Sequence, residues 1–261
     1  MKKYIMGLLL FIGLICFTVN VKAEENTDRE VIEYVEEYIV TDTYYDKNGT
    51  VLYNEDRKVS KAEAEFVAYQ REKLDLQNIA SINSNIGWDV IHETNSKMIG
   101  LTYYKFRGEN YYTYVEVRVH WYTVPNVKQY DVIGVRWDGN ATLVDATGVQ
   151  NASGDAKQSY SFRGDNMVIK SNGVGITMNL FDNKKDFQLK MDVQLVPSSV
   201  SRVYASYQHC TTNNINLSQS KSYNFSNNGL GNVIDFTSSS IRNKYDGMAG
   251  VSTSNLSVLN R

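Results

Sequence analysis

The chain has 261 residues, a formal net charge of −2, 12% aromatic residues and only two cysteines and two prolines. A nearly neutral chain with no basic stripe excludes simple electrostatic recognition of nucleic acid or of an anionic lipid surface. Cys16 falls in an N-terminal leader, so Cys210 is the one cysteine left in the mature chain and an internal disulfide is excluded.

Lys2 and Lys3 make a positive start, Ile5 to Val19 an apolar run, and Val21-Lys22-Ala23 a small-residue cleavage site ahead of Glu24-Glu25. That layout predicts a secretory signal peptide over residues 1–23, cleavage after Ala23 and an extracellular protein. Bulky Ile15 before Cys16 argues against lipidation at that cysteine. No later stretch approaches ~18 consecutive apolar residues, so the mature chain is expected to lack a transmembrane segment. Few cysteines and prolines, with abundant Asn, Lys, Ile and Tyr, point to a bacterial source.

Residues 24–86 are expected to hold a hairpin and a helix. Val31, Tyr34, Val35 and Tyr38 could form a short helical stripe, but Tyr38 to Tyr53 reads better as two strands around Asp46-Lys47-Asn48-Gly49. Ser60-Lys61-Ala62-Glu63 is a capping box, and the Ala-, Glu-, Lys- and Leu-rich run to about Ala80 predicts a helix that buries Phe66, Val67, Leu74 and Ile79.

Residues 87–261 are expected to form an antiparallel β domain, with two sub-sheets dividing near 150 or 197. From Trp88 onward the apolar pattern has period two. Val115, Val117, Val119 and Trp121 alternate with Glu116, Arg118 and His120; Phe187, Leu189, Met191, Val193 and Leu195 alternate with polar residues. Shorter strands are expected at 132–137, 175–181, 203–210, 215–217, 223–225 and 233–236. Turn pairs Asp138-Gly139, Ser153-Gly154, Asn172-Gly173, Asn228-Gly229 and Asp246-Gly247 separate many of them. The fold class this predicts is mainly β, an antiparallel β-sandwich or barrel-like fold preceded by a hairpin and one α-helix. Phe106-Arg107-Gly108-Glu109-Asn110 is echoed by Phe162-Arg163-Gly164-Asp165-Asn166, which reads as repeated turn chemistry rather than duplication.

No catalytic motif is present. His92, His120 and His209 belong to no zinc pattern, and His209 and Cys210, adjacent on a strand, point to opposite faces and do not make a base–nucleophile pair. No metal site and no cofactor are expected; Asp138-Gly139-Asn140 and the Asp182–Asp186 loop carry oxygen ligands for calcium, but neither has an EF-hand register and both read better as turns.

The aromatic supply is the most suggestive signal, because tyrosine and tryptophan join a flat apolar face to a polar tip. Tyr111, Tyr112, Trp121, Tyr122 and Trp137 are the expected binding residues. The leading reading is a secreted, non-enzymatic, β-rich binding protein acting on cell-wall glycan or an extracellular protein. The alternatives are a β pore-forming or membrane-active protein with an amphipathic hairpin within 198–240, and a secreted hydrolase using carboxylates that the sequence does not locate.

Overall fold

A computed structural model describes residues 28–46, 48, 50–78, 91–182, 184, 186–226, 233–247 and 249–256. The expected leader, Trp88, Ile79, the Leu74 side chain and the Asn228-Gly229 pair lie outside the described residues, as does half of Asn48-Gly49. In chain order the elements are β1 (Arg29–Tyr45), β2 (Val51–Val59), α1 (Lys61–Asn78), β3 (Ile91–Phe106), β4 (Thr113–Trp121), β5 (Tyr130–Ala152) and β6 (Ala156–Tyr160). There follow β7 (Met167–Lys170), β8 (Gly173–Asn179), β9 (Gln188–Gln208), α2 (Leu217–Ser220), β10 (Tyr223–Phe225), β11 (Ile234–Phe236), α3 (Ser239–Arg242) and β12 (Ala249–Ser252). Among the described residues no helix is long and apolar enough to cross a membrane.

Every strand pairing is antiparallel, and the main sheet runs β2-β1-β3-β4-β9-β5-β8-β7, with β12 beside β9 and β6 beside β5. The two longest strands organise it. β5 and β9 pair along almost their whole length, from Val132 opposite Gln208 to Asn151 opposite Gln188. Register shifts at Asp138/Gly139, Asn140/Ala141 and Leu143/Asp145 bend the pair midway, as bulges do. Beyond the bend the two strands acquire different neighbours. The first half of β9 pairs with β4 and the second half of β5 with β6, whereas the first half of β5 pairs with β8 and the second half of β9 with β12. One bent sheet thus supplies both layers of a sandwich. Gly148 on β5 faces Ile176 and Met178 on β8 across the core, so closely that a Cβ at Gly148 would lie 2.8 Å from the Met178 Cε. Between the layers lie Ile99, Leu101, Val115, Val117, Val119, Ile133, Val135, Ile176, Met178, Leu189 and Met191. The mainly β, antiparallel fold class expected from period two is the one found.

Several local expectations change. Asp138-Gly139 is a bulge inside β5 rather than a turn: Gly139 has φ +93°, and a Cβ there would strike the Ser199 backbone. Likewise 188–196 and 203–208 belong to one strand, β9, which carries Pro197 at the bend. Residues 215–217 do not form a strand; Asn216 caps the short helix α2. Asp246-Gly247 is no hairpin turn, since Asp246 is buried. The stripe at 31–38 is β-structure, because β1 pairs with β3 from Arg29 to Tyr45, and the sheet therefore crosses the boundary expected at 86–87. Helix α1 starts as expected, the Ser60 Oγ accepting from the Glu63 N–H at 3.2 Å, but Phe66 is 58% exposed and Ala64 is the buried residue of its first turns. The echoed pentapeptides use different turns: Gly108 has φ +81° in the first, Arg163 φ +59° in the second.

A second core lies on the far side of the β5–β8 layer. There Tyr223, Phe225, Ile234 and Phe236 of β10 and β11 pack with Ile215, Tyr245, Tyr204 and Cys210. Among the sheet residues they cover are glycines. A Cβ on Gly134 would sit 2.9 Å from the Ile234 Cγ1, and one on Gly173 would sit 2.5 Å from the Phe225 Cγ. Glycine at these positions lets the hairpin lie flat on the sheet. A methyl group at Gly173 has to displace the Phe225 ring, which also meets Tyr223 edge-on at 5.7 Å. Gly173→Ala is therefore expected to cost about 1–3 kcal/mol, read as a lower denaturant midpoint with the wild-type slope.

Candidate functional site

Alternate residues of a strand face opposite ways, so the outer face of the β1-β3-β4-β9 layer is built from the even-numbered residues of β3 and β4 and, past the register shift at Val31/Glu33, of β1. Cross-strand register places Glu36 beside Gly100, Gly100 beside Arg118, and Arg118 beside Lys190. Gly100 leaves a gap in that surface, and the Tyr34 ring lies over it: a Cβ on Gly100 would be 3.6 Å from the ring Cε2. Tyr34 is 53% exposed. Its hydroxyl donates to the Glu36 Oε2, and the Tyr38 hydroxyl donates to the other oxygen at 2.8 Å. Tyr122 stacks on Tyr38 with centroids 6.3 Å apart and meets His120 edge-on at 4.8 Å. Burial first, and then the bond to Glu36, pushes both Tyr34 and Tyr38 hydroxyls above their ordinary range, so they stay protonated as donors. The Tyr122 hydroxyl is pushed up to about 12, by burial and then by Glu65 and Glu36. Burial keeps His120 below its ordinary value despite Asp186 nearby. The face therefore offers a flat aromatic ring, a carboxylate and an exposed guanidinium side by side.

An ion network borders it. Glu116, buried on β4, is paired with the Arg118 Nε at 2.5 Å, the Arg29 Nη1 at 3.1 Å and the Lys190 Nζ at 3.6 Å; Lys190 also holds Asp192 at 2.7 Å. Burial alone would raise the Glu116 carboxyl, but the three cations overcome it and hold it below the ordinary carboxylate range. Asp192 is raised, burial outweighing Lys190. Two carboxylates pushed in opposite directions are what acid–base chemistry uses. Here cations account for the fall at Glu116 and burial for the rise at Asp192, and each carboxylate is tied to a lysine.

The five expected binding residues do not converge. Trp121 and Trp137 are 1% and 2% exposed and belong to the main core, so neither can meet a surface ligand. Their strands' apolar phase carries them inward. Tyr111 is 62% exposed at the β3–β4 loop, edge-on to Tyr112 at 4.8 Å, where the Glu109 carboxylate accepts from both backbone N–H groups. Tyr122 lies at the opposite end of β4, roughly 30 Å away at ~3.3 Å per residue. Only Tyr122 is in the aromatic face. Tyr34, Glu36 and Tyr38 are additions from the structure, because the 31–38 segment shows no clean alternation.

At the Tyr122 end of the sandwich the inward phases of several strands finish in polar residues. Trp121 donates from Nε1 to the Tyr207 Oη at 2.9 Å, and Tyr207 donates to the Asp131 Oδ2. The His209 Nδ1 lies 3.0 Å from the Asp131 Oδ1, which also accepts the Cys210 N–H at 2.9 Å. Lys97 pairs with Asp246, both almost fully buried. His209 is thus held by a carboxylate and turned away from Cys210, as the strand geometry requires. The Cys210 thiol, pushed up to about 12 chiefly by burial, is no thiolate nucleophile at neutral pH. Among the described residues no group of three or more His, Cys, Asp or Glu side chains is placed to hold a metal ion. The Asp138 carboxylate is engaged by Arg136 at 2.5 Å and the Tyr204 hydroxyl at 2.8 Å.

Fold and site together define a bent two-layer antiparallel β domain with one aromatic, charged outer face. No family model matches the chain, and no curated protein does. Among solved structures, the collagen-binding domain of a Staphylococcus aureus adhesin matches at 8% identity, covering 58% of this chain and 93% of that one, with a TM-score of 0.31. The major pilin subunit of Bacillus cereus matches at 11% identity over 67% of this chain and 60% of that one, with a TM-score of 0.27. The C-terminal domain of a Streptococcus agalactiae AgI/II polypeptide matches at 6% over 66% and 79%, with a TM-score of 0.25. TM-scores this low carry no argument about what this chain does.

The Glu116 network sets an acid limit on stability. A carboxylate whose folded-state pKa lies below its unfolded value adds stability above that unfolded value and loses it as pH falls through the folded pKa. Glu116→Gln is expected to lower stability at neutral pH by about 2 kcal/mol and to flatten the loss of stability on acidification. Denaturant midpoints measured from neutral to acid pH check both.

Proposed function

We propose that this is a secreted, non-enzymatic binding protein that holds an extracellular partner on the outer face of the β1-β3-β4 sheet. One observation carries the reading: the half-exposed Tyr34 ring lies against Gly100 on the sheet surface, with Glu36 and Arg118 beside it. A half-exposed ring tied by its hydroxyl to Glu36, with hydrogen-bonding charges at its rim, suits stacking on a sugar ring and bonding to its hydroxyls. Cell-wall glycan is the ligand class that this chemistry favours, and the signal-like leader supports export to a compartment that holds such glycan.

The membrane-active alternative requires a mobile amphipathic hairpin within 198–240. Residues 198–208 lie in β9, and β10 and β11 are three residues long with Tyr223, Phe225, Ile234 and Phe236 turned into the second core. A spanning strand needs ~9–11 residues.

Sedimentation with insoluble cell-wall material tests the proposal. Tyr34→Ala and Tyr122→Ala are each expected to weaken binding about tenfold while leaving the circular dichroism spectrum unchanged, and Tyr111→Ala is expected to leave binding as it is. Binding that survives both face substitutions removes the face from the mechanism. Recovery with liposomes as a detergent-resistant oligomer would overturn the reading in favour of membrane insertion.

A further inference from the structure

We propose that Lys97 and Asp246 are the site of a self-formed covalent cross-link, an amide joining the lysine Nζ to the aspartate Cγ. Such a cross-link is independent of what the outer face binds.

The two groups are side by side and out of water. Lys97 and Asp246 side chains are 1% and 0% exposed, and the Nζ contacts the Asp246 Oδ2 directly. The faces of Trp121 and Tyr207 close over the Nζ at 4.9 and 5.7 Å. In water an amine and a carboxylic acid remain an ammonium and a carboxylate, because hydration stabilises both ions. A buried pair has lost that hydration, which favours the neutral acid that can react. Burial in fact pushes the Asp246 carboxyl up to about 6, against the opposing charge of Lys97. Fixed contact replaces a bimolecular encounter.

The surroundings are arranged as the reaction needs. When the Nζ lone pair adds to Cγ, negative charge develops on the carboxyl oxygen that stays. That oxygen, Oδ1, accepts the His209 backbone N–H at 2.8 Å. A fixed N–H aimed at a developing oxyanion is a common way to lower such a barrier. Protons have a route as well. The Nζ donates to the Thr41 Oγ1 at 3.2 Å, and Thr41 donates to the Asp56 Oδ1 at 2.6 Å. The Asp56 carboxylate also presses against the backbone next to Asp246, where a Cβ on Gly247 would collide with it. Asp56 can therefore take a proton from the amine side through Thr41 and return it to the departing oxygen. The balance is simple. The Nζ–Cγ bond forms and the Cγ–Oδ2 bond breaks; of the three ammonium protons, one stays on the amide nitrogen and two leave with Oδ2 as water. No oxidant, cofactor or co-reactant is required.

The linkage would tie β3 to the segment between the Cys210–Tyr245 bridge and β12, closing most of the described chain into a covalent loop. Cys210 has no cysteine partner among the described residues, so a disulfide cannot do this.

Mass spectrometry of the full chain, purified after folding and then denatured, tests the cross-link. The expected result is an intact mass lower by one water and a tryptic map in which cleavage after Lys97 fails. The peptide beginning at Tyr245 should be attached to the uncleaved one. Asp246→Ala should restore the full mass and cleavage at Lys97. Full mass with separate peptides from the folded wild-type protein would overturn the proposal, and so would a water deficit that persists in Asp246→Ala. The wild-type mass and map decide between these outcomes, so a variant that folds poorly does not obscure them.

Discussion

The rest of the molecule depends on the bent pairing of β5 with β9. Two strands hydrogen-bonded from Val132–Gln208 to Asn151–Gln188 cannot lie in one flat layer once register shifts accumulate between Asp138 and Asp145. The pair turns, and its halves face each other as parts of opposite layers. Everything else attaches to one half. β4, β3, β1 and β2 extend from the first half of β9, while β8 and β7 extend from the first half of β5. The outer-face residues Lys190 and Asp192 and the buried residues Tyr207 and His209 are thereby carried on the same chain segment, on either side of the bend. Strain at the bend is absorbed by Gly139, whose positive φ and contact with the Ser199 backbone leave no room for a side chain.

A second constraint follows from the first. Near the Tyr122 end of the sandwich the inward phases of β1, β3 and β5 stop being apolar: Ile39 gives way to Thr41, Ile99 to Lys97 and Ile133 to Asp131, and after β9 Tyr207 is followed by His209. Burying charges is costly unless each is paired and its remaining hydrogen bonds are filled. Asp131 accepts from Tyr207, His209 and Cys210; Asp246 accepts from Lys97 and His209. Backbone N–H groups of His209 and Cys210 are thus divided between two aspartates, which fixes the chain leaving β9 at one position. A hydrophobic end to the core would have held the layers together, but not that exit.

How much of this is legible in the sequence depends on the signal used. Period two discloses the strands and the antiparallel class, and it discloses β4 almost residue for residue. Trp121 shares the apolar phase of Val115, Val117 and Val119, which is an argument for burial and against a surface role. Lys97 shares the phase of Ile99, Leu101 and Tyr103, so a lysine there is already anomalous. Its partner is not legible, because Asp246 lies far away in sequence and its Asp-Gly context imitates a turn. The continuity of β5 and β9 is hidden for the same reason: Gly139 and Pro197 are turn residues elsewhere and bulge residues here, and only the pairing across the bend distinguishes the two uses.

The two layers then differ in what covers their outer faces. On the β5–β8 layer Gly134, Gly173 and Gly175 form a smooth patch, and the C-terminal third lies on it, bringing Ile234, Phe225 and Tyr223 into van der Waals contact with the backbone. On the β1-β3-β4 layer Gly100 is covered more loosely, a Cβ there lying 3.5 Å from the Met98 Sδ and 3.6 Å from the Tyr34 ring of the next strand. Tyr34 covers the glycine but leaves half of its own surface in water, bound by its hydroxyl to Glu36. A ring resting against the sheet and tied by its hydroxyl to a neighbouring carboxylate has less freedom left to lose when something stacks on it. A glycine gap filled by a buried hairpin is packing. A glycine covered loosely by an exposed ring leaves that ring's outer side to solvent, where a ligand can stack on it.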